Sequence, residues 1–187
     1  MTDYLSYKDG VWYARPGTRV AVVGNAQSLF DQSHGESIDG HDVVIRMNRA
    51  AQLYEDHQGH DRSHGARTDV WCMWRYREYE HARVREPGMR CQMAWWTETP
   101  PDPTVYNINT AWFHHRLTPH TPTTGMMTLA WLSRMNVRVS VYGFDWKASP
   151  TFTDPGRQSE QNTIHNFQRE RELCMDYFRG ELGYEFH

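Results

Sequence analysis

The chain has 187 residues, 39% hydrophobic and 13% aromatic, with a mean hydropathy of −0.81. That length suits one domain with a full core and is short for two, and the aromatic content argues against disorder. A net charge of −3 leaves no basic footprint for nonspecific nucleic-acid binding. The longest apolar runs are strand-sized, so no membrane span is expected.

The N-terminus lacks the basic start and apolar core of a signal peptide, and a cytoplasmic location is expected. The three cysteines, Cys72, Cys91 and Cys174, are widely spaced and form no Cys-x-x-Cys pair. Reduced core thiols are the reading, rather than a disulfide framework or a thiolate metal site.

Residues 1–18 form a polar and aromatic lead-in that ends at the turn signal Pro16-Gly17. Val20-Ala21-Val22-Val23-Gly24-Asn25 follows, a β-branched run with no polar face, which reads as a buried parallel strand. Gly24 lets the backbone bend close to a ligand, and the short helix expected over 29–34 would offer unpaired N–H groups and a dipole to a phosphate. Residues 35–41 read as loop, and Asp42-Val43-Val44-Ile45-Arg46-Met47-Asn48 as a second apolar strand ending in a cation and an amide. Residues 52–66 are polar and histidine-rich, a loop with some helix, and 68–74 read as a third strand.

An exposed helix is expected over 76–85, a strand over 91–96, a proline loop at 100–103 and a short strand over 105–108. Thr123-Thr124-Gly125 opens a helix over 126–135, and residues 137–144 form a strand that reaches Gly143. Residues 147–164 read as a mobile loop and 165–182 as an amphipathic helix. Strands alternating with helices predict an α/β class protein, a three-layer α/β/α domain over 1–187 with a mainly parallel Rossmann-like sheet.

Three strand-end clusters carry the chemistry: Gly24-Asn25, Arg46-Met47-Asn48 and Thr123-Thr124-Gly125. Small hydroxyls, amides and a glycine at one sheet rim suit a ribose and a phosphate. Thr123 or Thr124 can equally be the N-cap of the following helix, and Arg46 an internal ion-pair partner. His57, His60 and His64 read as a solvated loop rather than metal ligands, and Trp71, Trp74, Trp95 and Trp96 mostly as packing.

These segments together resemble the eukaryotic-type sialyltransferases, glycosyltransferase family 29, of which the chain would be a short, bacterial or phage-like relative. The long motif is matched by Val22-Val23-Gly24-Asn25 and by Ile38-Asp39-Gly40-His41-Asp42-Val43-Val44-Ile45-Arg46-Met47-Asn48-Arg49-Ala50. The short motif is matched by Pro122-Thr123-Thr124-Gly125 through Val139-Ser140-Val141-Tyr142-Gly143-Phe144, and the final His-x-x-x-x-Glu by His165 to Glu170. Gly65-Ala66-Arg67-Thr68 resembles the Gly-x-Arg/Lys-Thr between the first two.

The resemblance implies a variant GT-A fold and an inverting, metal-independent transfer of sialic acid or a related keto-sugar from a CMP-activated donor to a hydroxyl of a glycan or other acceptor. Asn25 and Asn48 would contact the donor phosphate, with Gly24 beside them, and Thr123, Thr124 and Gly125 would hold cytidine and ribose. His165 would be the general base, with Arg46, Glu170 and Gly143 in support. No metal or other cofactor is implied, and no Asp-x-Asp pattern occurs in the chain. A neutral imidazole suits the base, since its ordinary pKa lies near the operating pH.

The departures from the family are equally specific. The positions of its disulfide fall at about Val20 and Asn136, neither a cysteine, and no counterpart of its membrane anchor and stem is expected. A histidine-rich motif that helps hold the donor phosphate has no match over 147–164, which leaves His114, His115 and His120 as candidate substitutes. A nucleotide-binding module without catalysis, or a transferase of the same fold acting on nucleic acid or lipid, are the alternatives.

Overall fold

The computed structural model describes residues 3–8, 11–49, 51, 61–74, 88–94, 104–146, 148–149 and 164–187. The expected helix at 76–85, the proline loop at 100–103, Trp95, Trp96, His57, His60 and nearly all of the 147–164 loop lie outside these residues.

Seven strands form one sheet: β3 (Arg19–Val23), β4 (Val43–Met47), β5 (Val70–Met73), β6 (Met89–Ala94), β7 (Val105–Asn109), β8 (Arg138–Tyr142) and β9 (Glu185–Phe186). Their order is β7-β6-β5-β4-β3-β8-β9, and all six pairings are parallel. The chain builds outward from β3 to β7, then crosses back to lay β8 on the other side of β3. This reversal is a topological switch point, and the carboxyl ends of β3, β4 and β8 flank it.

Residue alternation along the strands separates two cores. Val20, Val22, Val43, Ile45, Val70, Cys72, Cys91, Val139 and Val141 join one cluster, with Met126, Leu129 and Leu132 of helix α4 (Thr124–Leu132). Ala21, Val23, Val44 and Tyr142 form the other, with Leu29 and with Ile38 of helix α1 (Gly35–Asp39). Helices on both faces of a parallel sheet make the three-layer architecture that the alternation of segments implies. Nearly all of α4 is buried, because the antiparallel hairpin of β1 (Leu5–Lys8) and β2 (Val11–Ala14) packs over its end. There Trp12 meets Trp131 edge-on, with ring centroids 5.0 Å apart.

Several expectations need correction. The lead-in is a two-stranded hairpin, and residues 35–39, expected as loop, are helical because Ile38 anchors the turn in the smaller core. The helix expected over 29–34 is a five-residue 3-10 turn, Gln27–Asp31. Its Ser28 N–H is already taken by Ser149 Oγ at 3.1 Å, so this turn does not present the open, dipolar terminus expected of it. His64, expected in a solvated loop, is buried at the end of helix α2 (Asp61–His64), its ring centroid 4.0 Å from that of Phe30. Helix α3 (Ala111–His114) and the edge strand β9 have no counterpart in the sequence reading. The last helix starts two residues later than expected, as α5 (Phe167–Leu173), and continues as a wider π coil through Cys174–Glu181. All three cysteines are buried free thiols.

Candidate functional site at the carboxyl rim

The site is built where β3, β4 and β8 end. Val23 is aligned with Arg46, so Asn25 and Asn48 each lie two residues beyond one aligned pair. Gly24 donates its N–H to the Tyr142 carbonyl at 2.7 Å, joining the exits of β3 and β8. A Cβ on Gly24 would run into the Gly143 carbonyl and stand 2.9 Å from Phe144 Cδ2. A Cβ on Gly125 would stand 2.8 Å from the far side of the same Phe144 ring and 3.6 Å from Met47 Sδ. Phe144 is thus wedged between the glycine after β3 and the glycine opening α4, and Gly143 takes φ +66 to turn the chain beneath it.

Asn48 closes β4 in the left-handed conformation, φ 49, which asparagine tolerates better than most side chains. Its amide donates through Nδ2 to Thr124 Oγ1 at 3.1 Å and accepts at Oδ1 from the Trp74 N–H at 3.0 Å. Because the Trp74 N–H can only donate, the amide orientation is fixed. The second Nδ2 hydrogen is uncommitted among the described residues.

Thr123 is the N-cap of α4, its Oγ1 accepting from the Met126 N–H at 3.2 Å. Its own N–H and Oγ1 donate to the two oxygens of Glu170, at 2.7 and 2.8 Å. The capping reading of Thr123 therefore holds, and it leaves the N–H groups of Thr124 and Gly125, at the first turn, without an intrahelical acceptor. Glu170 is buried in α5, and burial pushes its carboxyl up to about 7 against the pull of the two Thr123 bonds.

The same two segments meet again at His165. Its Nδ1 lies 2.6 Å from the Thr121 carbonyl, and the Thr121 N–H donates to the Ile164 carbonyl at 2.9 Å. A carbonyl only accepts, so Nδ1 carries the proton, and the basic lone pair of the neutral ring is on Nε2. Asn166 follows as the N-cap of α5, accepting from Arg169 N–H at 3.0 Å.

Asn48, Thr123, Thr124, Gly125, Glu170 and His165 are thus linked by hydrogen bonds or by adjacency, and Gly24 and Gly143 join them through Phe144. Asn25 lies half-buried beside them in the loop after Gly24. Arg46 does not join. It is fully buried and donates to the carbonyls of Arg67, His64 and Gly65 at 2.8, 2.7 and 3.0 Å. These carbonyls lie in the segment leading to β5. Asp39 and Arg67 reinforce that lock: Asp39 accepts from the N–H groups of Ala66 and Arg67, and Arg67 donates to the carbonyls of Asp39 and His41. Phe144, Trp71, Trp74 and the Thr121 carbonyl hold the site together, and none was singled out for that in the sequence. Among the described residues no three His, Cys, Asp or Glu side chains stand together in a way that could hold a metal ion.

Fold and site define an α/β protein of GT-A-like type, with its polar cluster at the switch point of a parallel sheet. Over 91% of its length the chain superposes on 69% of a solved mammalian sialyltransferase, with a TM-score of 0.62 and 18% identity. A mammalian sialyltransferase in complex with Gal-beta-1-3GalNAc-ortho-nitrophenol gives 0.60 over the same shares, also at 18% identity; both likenesses concern the fold. Residues 8–83 match the family model of glycosyltransferase family 29 (sialyltransferase). Two curated relatives bear the name CMP-N-acetylneuraminate-beta-galactosamide-alpha-2,3-sialyltransferase 1: that of Gallus gallus is 47% identical over 47 residues, that of Mus musculus 59% over 32. These stretches cover 25% and 17% of this chain, and only 14% and 10% of the relatives. The match to glycosyltransferase family 29 spans the segment that carries Gly24, Asn25, Asn48 and Arg67.

Proposed function

We propose that the chain is a CMP-sugar-dependent glycosyltransferase that moves sialic acid or a related keto-sugar to a hydroxyl of a glycan acceptor, with inversion and without a metal ion. The observation that carries this reading is the double clasp between residues 121–123 and 165–170. It sets a histidine with a defined basic nitrogen beside a helix terminus and an asparagine amide with a spare donor.

In the proposed reaction the acceptor oxygen attacks the anomeric carbon of the donor and passes its proton to His165 Nε2. The bond from that carbon to the phosphate oxygen of CMP breaks, and its electron pair leaves with the phosphate. Asn25, the free hydrogen of Asn48 Nδ2 and the first N–H groups of α4 would stabilise the charge that develops there, while Thr123 to Gly125 hold the nucleoside. Such fixed donors replace what a metal would otherwise supply. Three buried thiols support a reducing compartment, and a cytoplasmic site of action is part of the proposal.

A thermal-shift panel of CMP, CDP, UDP and GDP, followed by donor-consumption assays, tests the reading. CMP should stabilise the protein most, and His165→Ala should lower turnover by about 100-fold or more with its melting point near wild type. A preference for another nucleotide overturns the donor assignment. CMP binding without transfer or donor hydrolysis makes the chain a binding module, and full turnover in His165→Ala removes the base.

A further inference from the structure

Every polar group of Asn48 that reaches into the protein is bonded to a residue of β5, of its exit, or of α4. The N–H donates to the Cys72 carbonyl at 2.8 Å, the amide oxygen accepts from Trp74, and Nδ2 donates to Thr124. The remaining group, the main-chain carbonyl, accepts from Trp71 Nε1 at 2.8 Å. Trp71 is buried in the middle of β5, in register with Arg46, two positions before Asn48 on the neighbouring strand.

The left-handed backbone of Asn48 is unfavourable for a side chain, and such a conformation persists only where its surroundings over-determine it. A regular continuation of β4 would aim the Asn48 carbonyl along the ladder. The left-handed turn carries it over the indole edge of β5 instead, and a carbonyl turned inward there needs a donor. Phenylalanine at position 71 would keep an apolar ring there without supplying one.

We infer that Trp71 is a positioning residue: through its indole N–H it holds Asn48 in the left-handed turn that aims the spare amide hydrogen into the carboxyl-rim site. The inference concerns ligand geometry and rests on the nucleotide-site reading above. It sets the affinity for the phosphate of a cytidine monophosphate rather than the chemical step.

The test compares Trp71→Phe, which removes the N–H, with replacement of Trp71 by benzothienylalanine, which keeps the bicyclic shape and lacks the N–H. Both are made in the full chain, and each is combined with Asn48→Gly, which tolerates a positive φ and has no amide. CMP binding should weaken about five- to tenfold in both Trp71 variants, with no further loss when Asn48→Gly is already present. Affinity within twofold of wild type overturns the inference, and so does an equal loss in the presence and absence of Asn48→Gly, which marks a merely structural role. Amide hydrogen exchange is the readout independent of ligand. The Asn48 N–H should exchange about tenfold faster in the benzothienylalanine protein, while Ala21 and Val44 in the same sheet are unchanged. If wild type binds no CMP, the nucleotide reading falls and the exchange result alone decides on Trp71: unchanged exchange at Asn48 overturns its role.

Discussion

The matched motifs supply two regions that use polar residues in opposite ways. Between β4 and the approach to β5, Asp39, Arg46 and Arg67 bond backbone groups at 2.6–3.0 Å, and Arg67 also pairs with the Asp69 carboxylate at 2.8 Å. At the carboxyl rim Thr123 and Glu170 bond each other, Asn48 bonds Thr124 and Trp74, and His165 is fixed through Nδ1, with Nε2 the nitrogen proposed to act. Motif residues therefore divide into those that build and those that can react, and a charge such as Arg46, beside the reacting residues in sequence, belongs to the first kind. The difference is one of placement: the buried Arg46 guanidinium is directed at the carbonyls of residues 64, 65 and 67, and holds that segment.

The largest effect should come from the building region. Arg46→Ala leaves the carbonyls of His64, Gly65 and Arg67 without their donor and opens a cavity, and should cost about 4 kcal/mol, read as a lower urea midpoint. A loss below about 1 kcal/mol would mean that the lock is dispensable and that the division between the regions is misplaced. By contrast, His165→Ala should affect turnover and hardly move that midpoint.

Next come the glycines that seat Phe144. Gly24→Ala drives a methyl against the Gly143 carbonyl, which is backbone tied into β8 and cannot yield, for a cost of about 3 kcal/mol. Gly125→Ala meets only the edge of the Phe144 ring, which can rotate, and should cost about 1–2 kcal/mol. Equal costs for the two would show that the β3 and β8 exits move as freely as the ring. The comparison is read from denaturant unfolding of both variants.

The strands were legible because β-branched runs such as Val20-Ala21-Val22-Val23 and Val43-Val44-Ile45 have only one stable use, the middle of a parallel sheet. Helix α1 was not, because Gly35, Ser37 and Asp39 read as loop residues. It forms because Ile38 is buried and the Asp39 carboxylate is bonded to the N–H groups of Ala66 and Arg67, a partnership 27 residues away. At the rim, Gly24, Gly143 and the Thr-Thr-Gly turn announced themselves by residue type. That Phe144 would join two of these glycines, or that an indole would meet the Asn48 carbonyl, depends on a reversed turn after β4 and on strand order. Neither leaves a periodicity to read.

The smallest effect, and the most diagnostic of the clasp, concerns Glu170. Its folded-state pKa, about 7, lies above the ordinary value of 4.5, so the folded protein binds this proton more tightly than the unfolded chain does. This contribution favours folding at acid pH and fades as pH rises from about 4.5 to 7, with the full cost of a buried carboxylate present above that. Glu170→Gln removes the titration and can still accept from the Thr123 N–H while donating to its Oγ1. The gap in melting temperature between Glu170→Gln and wild type should therefore shift in favour of the glutamine as pH is raised from 5 to 8. Glu170→Ala should lose about 2 kcal/mol at pH 5, where it strands the Thr123 N–H, and less at pH 8, where the wild type bears the cost of a buried carboxylate. Working with the difference between variants cancels the histidines and other groups that titrate in both. A gap that is constant with pH would mean that Glu170 is ionised throughout, and that the bonds from Thr123 outweigh burial in setting its charge.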